Sequence, residues 1–152
     1  MTKYDLIGCQ PYVLGFMFDE SKENVVLIEK IKPVEHKGLL NGIGGKCEFS
    51  SGTDADHTET MIREFFEETG VRTKNKDWTY YTCLEHNDFY IYCYFGANNS
   101  YYKRAKTVEK EQIIKRHIDG IARCEGVDHL KWLIEMAKVY GQNKSFAHVS
   151  LW

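Results

Sequence analysis

The sequence is short of several things. Two prolines, Pro11 and Pro33, stand in 152 residues, too few for a proline-rich linker or a disordered tract. Its five cysteines (Cys9, Cys47, Cys83, Cys93, Cys124) are odd in number and widely spaced, which argues against a disulfide framework or a C-x-x-C zinc site. Cys83 and Cys93 read as small buried hydrophobes on strands, and a reduced, cytoplasmic setting follows. No apolar run reaches membrane-spanning length, and the N-terminus, interrupted by Gly8, Gln10 and Pro11, has no signal-peptide pattern. Neither sign of charge is in surplus: 20 basic residues face 22 acidic ones, net −2. That balance offers no basic surface for nucleic acid, so an acidic site for a phosphorylated ligand would need a metal ion. No repeat, low-complexity tract or linker divides residues 1–152, and a single domain is expected.

What the chain does have is aromatic and β-branched sequence, with ten tyrosines and eight phenylalanines, a composition that favours strands. Residues 12–18 and 25–31 form two apolar runs around the polar turn 19–24 and predict a hairpin near the centre of a sheet. Residues 78–84 and 89–95 predict a second hairpin about His86-Asn87-Asp88. Between the hairpins, Lys37–Lys46 carries Gly38, Gly42, Gly44 and Gly45, which permit close backbone approach to a ligand without the spacing of a P-loop. Gly96–Lys106 reads as a polar loop and candidate lid. Residues 108–123 fit either a helical stripe (Ile113, Ile114, His117, Ile118, Ile121) or a strand over 112–118. A last helix, 128–140, places Leu130, Leu133, Ile134 and Ala137 on one face; Trp132, Met136 and Val139 make a second apolar stripe, the mark of a helix that is buried on both sides, covers a pocket, or meets another subunit in a homodimer.

The most informative stretch is Arg63-Glu64-Phe65-Phe66-Glu67-Glu68-Thr69-Gly70-Val71. Asp56-His57-Thr58-Glu59 reads as a variant capping box that starts a helix at 57, with His57 a surface residue of its first turn. Gly70 supplies the left-handed residue that ends the helix. Met61, Ile62, Phe65, Phe66 and Thr69 share one side; Glu64, Glu67 and Glu68 share the other at i, i+3 and i+4. Two carboxylates held about 4 Å apart repel by roughly 4 kcal/mol at an effective dielectric of 20. The helix C-terminus disfavours them further. A solvated acidic face steadied by an Arg63–Glu67 pair is one reading, and a site for Mg²⁺ or Mn²⁺ is the other.

The same stretch, with Gly45-Lys46 upstream, resembles the box of the Nudix hydrolases, G-x5-E-x7-R-E-U-x-E-E-x-G-U with U a bulky apolar residue. The half from Arg63 to Val71 agrees at every specified position, and the order of hairpin, box, hairpin and closing helix extends the likeness over most of the chain. Gly45 and Arg63 stand 18 positions apart where the pattern has 14. Ala55 occupies the place of the first glutamate, for which Glu48, Asp54 and Asp56 are the candidates. The resemblance implies an α/β protein, a Nudix-type α/β/α sandwich around a mixed β-sheet. It also implies a metal-dependent pyrophosphohydrolase that cleaves a nucleoside diphosphate linked to another group. Glu64, Glu67 and Glu68 would bind Mg²⁺ (or Mn²⁺). Glu64 and Glu67 would serve catalysis, with Arg63 orienting a glutamate; Gly44, Gly45 and Lys46 would align substrate.

A narrower likeness concerns Leu40–Lys46 and Val127–Leu133, which resemble the MutT-like branch acting on oxidised purine nucleoside triphosphates. There Asn41 and Asp128 would hydrogen-bond the base; otherwise they are a turn asparagine and a helix N-cap. Alternatives within the same chemistry are ADP-ribose, dinucleoside polyphosphates and NAD(H) or FAD. A nucleotide-sensing binding module without catalysis is the rival of another class. Glu109 and Glu111 are read as solvated charges, with a distant carboxylate for the site as the other possibility. Lys30 and Lys32 are read as ordinary solvated lysines, with reach to a phosphate as the other reading.

Overall fold

The structure, a computed structural model, describes residues 9–143 and 147–150; the signal-peptide expectation rests largely on residues 1–8, outside that range. Eight strands form one mixed sheet: β1 (Gln10–Phe18), β2 (Asn24–Glu29), β3 (Leu40–Asn41), β4 (Ile43–Lys46), β5 (Thr79–Glu85), β6 (Phe89–Ala97), β7 (Ile113–His117) and β8 (Ala147–Ser150). The main order is β3-β2-β1-β6-β5-β8, with β4 on β1 and β7 on β2. Helices α1 (His57–Thr69), α2 (Asn99–Arg104) and α3 (Leu130–Asn143) complete the fold.

The first hairpin closes only at its turn, where Met17 and Phe18 face Val26 and Val25. Beyond that point β1 and β2 separate. β4 takes the place beside β1, from Tyr12 opposite Lys46 to Gly15 opposite Ile43, while β3 sits beside β2. On its other edge β1 runs parallel to β6 over its whole length, so it is the central strand. The V between β1 and β2 is what carries the Gly-rich segment into the sheet.

Side chains alternate across this sheet and feed two cores. Phe16, Phe18, Leu27, Tyr81 and Phe95 pack with Leu130, Leu133, Ile134 and Ala137 of α3. Met17, Val26, Ile43, Tyr92 and Tyr94 pack with Met61 and Phe65 of α1. A helix therefore covers each face, the α/β/α sandwich expected. Cys83 and Cys93 are buried and all five cysteines are free thiols. No helix among the described residues is long and apolar enough to cross a membrane.

One open alternative is settled and two expectations change. Residues 108–123 resolve to the strand: Ile113–His117 pairs with β2 from Asn24 to Ile28, because that edge offers a ladder an isolated helical stripe could not replace. Ile118 and Ile121 then enter the α3-side core through a 3-10 turn. The candidate lid contains α2, capped by Asn98, whose side chain accepts the Tyr101 N–H. Finally, α3 starts at Leu130, so Asp128 is not its N-cap; His129 adjoins the helix with φ +70°.

The two faces of α3 differ in kind: Leu133 is 2% exposed, whereas Val139 is 41% exposed and Trp132 43%. Leu133→Ala should cost about 2–5 kcal/mol in urea denaturation, and Val139→Ala no more than about 0.5 kcal/mol.

Candidate active site

Helix α1 begins as its sequence requires. The Asp56 carboxylate accepts the Glu59 N–H at 2.9 Å; Glu59 reaches back to the Ala55 N–H at 2.7 Å, one residue short of a reciprocal box. Gly70 closes the helix at φ +76°. Met61, Phe65 and Thr69 are buried against the sheet, while Ile62 and Phe66 are half-buried, with the Arg72 guanidinium 4.0 Å over the Phe66 ring. His57 is not a plain surface residue. Its ring stacks on Tyr92 at 3.9 Å and it hydrogen-bonds the Tyr94 hydroxyl, so the first turn of α1 is tied to the sheet by an aromatic cluster.

Arg63 is the hub of the acidic face. Its Nε and Nη2 donate to the two Asp54 oxygens, each at 2.9 Å, a bidentate fork. Nη2 also donates to the Lys46 carbonyl at 3.1 Å, and Nη1 reaches Glu64 at 3.0 Å and Glu67 at 3.3 Å. Asp54, only 3% exposed, accepts further bonds from the Glu48 N–H and the Thr60 hydroxyl, both at 2.9 Å. Burial alone would raise the Asp54 carboxyl, but the bonds from Arg63, Glu48 and Thr60 outweigh it and hold the carboxyl below the usual carboxylate range. Of the three candidates for the first acidic position, Glu48 is exposed, Asp56 caps α1, and Asp54 alone meets Arg63.

The glutamates sit in unlike surroundings. Glu64 lies directly over Gly45: a Cβ there would come within 2.4 Å of its carboxyl carbon. Burial, with Glu67 and Glu109 adding repulsion against the pull of Arg63, pushes the Glu64 carboxyl up to about 7. Burial, then repulsion from Glu109, Glu111 and Glu64 against the pull of Lys30, pushes Glu68 up to about 7 as well. Glu68 Oε2 is buried with no hydrogen-bond partner. Glu67 is the open one, its side chain 42% exposed.

Glu111, for which a distant carboxylate for the site is one of the two sequence readings, adds its repulsion to Glu68. It accepts the Ile31 N–H at 2.8 Å and pairs with Lys30 at 3.3 Å. The signal was the β7–β2 register: with Glu29 N–H bonded to the Gln112 carbonyl, Glu111 falls opposite Lys30 and Ile31.

Asn41 and Asp128 lie on neighbouring segments, since Gly126 bridges Leu40 and the Val127 N–H donates to the Leu40 carbonyl at 2.9 Å. Asn41 Oδ1 accepts the Gly42 N–H at 2.8 Å, which directs its amide as a donor. Asp128 is exposed in a cavity of about 590 Å³ shared with His129 and Trp132.

The donor set suits a hard divalent cation. It offers carboxylate oxygens, one of them buried without a partner, and two acids disfavoured as anions by one another and by burial. Among the described residues no three His, Cys, Asp or Glu side chains already stand in ligand geometry; Glu64 and Glu67 are turned toward Arg63.

A mixed sheet between α1 and α3, with a glutamate-bearing helix against a Gly-rich strand, defines an α/β/α sandwich with an acidic site on one face. The sequence matches the NUDIX domain family over residues 9–138, and the chain belongs to that family. It is a Nudix hydrolase, whose reaction class is cleavage of the diphosphate in a nucleoside diphosphate joined to a further group. No curated protein sequence matches it. Solved structures share the fold. One comes from a study of MutT from Aliivibrio salmonicida and Vibrio cholerae: 14% identity, TM-score 0.64, covering 85% of this chain and 96% of that one. Another is NrtR of Shewanella oneidensis: 16% identity, TM-score 0.70, covering 89% of this chain and 64% of that one.

The two loop glycines should respond differently to alanine. A Cβ at Gly44 would stand 2.0 Å from the Val13 carbonyl oxygen, a backbone clash, so Gly44→Ala should lower the melting temperature sharply. At Gly45 the clash is with a movable side chain, so Gly45→Ala should keep most stability and lose activity through displaced Glu64.

Glu64 and Glu68 also set a pH dependence. Their folded values near 7 lie above the ordinary glutamate value, so in cation-free buffer they favour the fold most at low pH and lose that contribution as pH rises through 7. Asp54 acts oppositely, its contribution disappearing only as pH falls through its lowered value. Cation-free melting temperature should therefore rise from about pH 8 to about pH 5. Mg²⁺ should raise it more at the higher pH, and Glu68→Gln should flatten the slope.

Proposed function

We infer that the chain hydrolyses an oxidised purine nucleoside triphosphate of the 8-oxo-dGTP kind to the monophosphate and pyrophosphate, in the cytoplasm, with Mg²⁺ held by Glu64, Glu67 and Glu68. Mn²⁺ would serve as well. The observation that carries the reaction is the buried, unpartnered Glu68 oxygen beside Glu64, two acids at about 7 over a strand of two glycines. The substrate class is supported by Asn41 and Asp128 on adjoining segments, Asp128 in a cavity shared with Trp132: an amide donor and a carboxylate acceptor fit an edge that carries both an acceptor and N–H groups.

The cation would neutralise diphosphate oxygens and acidify a water. The chain does the positioning. Gly45 keeps the strand free of a side chain under Glu64, so a phosphate can approach the backbone. Arg63, anchored by Asp54 and the Lys46 carbonyl, holds Glu64 and Glu67 at fixed places; it is a positioning residue and does not touch substrate. Glu67, the exposed carboxylate, takes the proton of the attacking water. The water oxygen bonds to phosphorus as the bridging P–O bond breaks, and the leaving pyrophosphate carries away the electron pair.

Glu67→Gln and Glu68→Gln should each lower kcat by about 10²–10⁴-fold with the melting temperature of the cation-free protein kept or raised. Near-normal turnover by either variant with Mg²⁺ would overturn the assignment. Across canonical and oxidised nucleotides, ADP-ribose, NADH, FAD and dinucleoside polyphosphates, the oxidised purine triphosphate should have the highest kcat/KM; equal, slow hydrolysis of all would refute the substrate reading.

A further inference from the structure

The end of β2 separates two regions. On one flank the Lys30 N–H bonds the Leu39 carbonyl and leads to β3, Asn41 and the Asp128 turn. On the other, the Glu29 N–H bonds the Gln112 carbonyl. There a cleft of about 480 Å³ opens between Ile31-Lys32 and Val108–Glu111. The cleft adjoins the C-terminal end of the glutamate helix: a Cβ at Gly70 would stand 3.3 Å from the Val108 side chain, and the Lys106 N–H donates to the Thr69 carbonyl at 3.2 Å. Glu111 is already compensated by Lys30 and the Ile31 N–H.

Lys32 and Lys110, from separate segments, line the same cleft. Among the described residues neither ammonium has an ion-pair or hydrogen-bond partner, although Glu109 and Glu111 line the cleft with them. Arg63, by contrast, is fully committed to Asp54, Lys46, Glu64 and Glu67. The remaining walls, Ile31 and Val108, offer no hydrogen bond from their side chains to a sugar or a base edge. Glu111 is offset by Lys30, so Lys32 and Lys110 outnumber Glu109, the remaining acid of the cleft; the pair is suited to a phosphate, on the flank of β2 away from Asn41.

We propose that this cleft receives the terminal phosphate of the substrate, with Lys32 and Lys110 as its clamp, and so selects triphosphates over substrates that carry a sugar beyond the diphosphate. The proposal rests on the triphosphate reading and sharpens it. An ammonium–phosphate contact is charge-assisted, and two of them at an open rim are consistent with a change in affinity of about tenfold or more.

Calorimetric titration with inorganic pyrophosphate and, separately, with GMP, both in Mg²⁺, tests it. Lys32→Ala/Lys110→Ala should bind pyrophosphate at least about tenfold more weakly than wild type, with GMP affinity and melting temperature unchanged. Lys32→Arg/Lys110→Arg should restore pyrophosphate binding. The proposal falls if the alanine variant keeps wild-type pyrophosphate affinity, if pyrophosphate and GMP weaken equally, or if the wild type does not bind pyrophosphate. Lys32→Gln/Lys110→Gln provides the same measurement should the alanine variant fold poorly. Wild-type turnover of triphosphate against ADP-ribose judges the substrate reading separately, so that reading can fail while the pyrophosphate result stands.

Discussion

The bidentate pair between Arg63 and Asp54 is the constraint on which the site depends. Asp54 is buried in the loop that precedes α1, and its carboxylate also gathers the Glu48 N–H and the Thr60 hydroxyl. The loop, the first turns of the helix and, through the Lys46 carbonyl, the end of β4 therefore meet at one guanidinium. Removing either partner of such a pair leaves an uncompensated charge, which is far costlier than the pair's own net stabilisation. The lengthened loop is tolerated because one of its carboxylates still reaches Arg63, one residue and one methylene away from the place of the family's glutamate.

Around that anchor the protein keeps an unfavourable arrangement. Glu64 and Glu68 are half-buried, Glu109 repels both, Glu111 and Glu64 repel Glu68, and both carboxyls are held at about 7. A fold selected only for stability would not place three further acids around the buried, unpartnered Glu68 oxygen. Functional sites are where such local conflicts are retained. The two glycines of β4 serve the same end by different means. Gly44 lets the strand lie against β1, and Gly45 leaves room for Glu64 above it.

The helix was legible almost to the residue. Its cap, its terminating glycine and its buried stripe all rest on local chemistry, which a linear pattern records. The inner stripe of α3 and the strands of both hairpins were readable for the same reason. The helix-or-strand ambiguity at 108–123 was not resolvable locally, because the strand exists through its partner β2. His57 looked like a surface residue because its partners Tyr92 and Tyr94 lie on a strand more than thirty positions on, and the single role of Asp54 among three candidates depended on where a longer loop folds back.

By itself the sequence determined the family, the reaction class and the helix bearing the glutamates, since each rests on residues close together in the chain. Only the tertiary structure decided which acid anchors Arg63, that Glu111 and Lys30 join the site, and that two lysines from separate segments share a cleft beside it. The first arises where the long loop folds back onto α1 and β4, the other two where β7 flanks the end of β2. No pattern along the chain encodes a distance across a sheet.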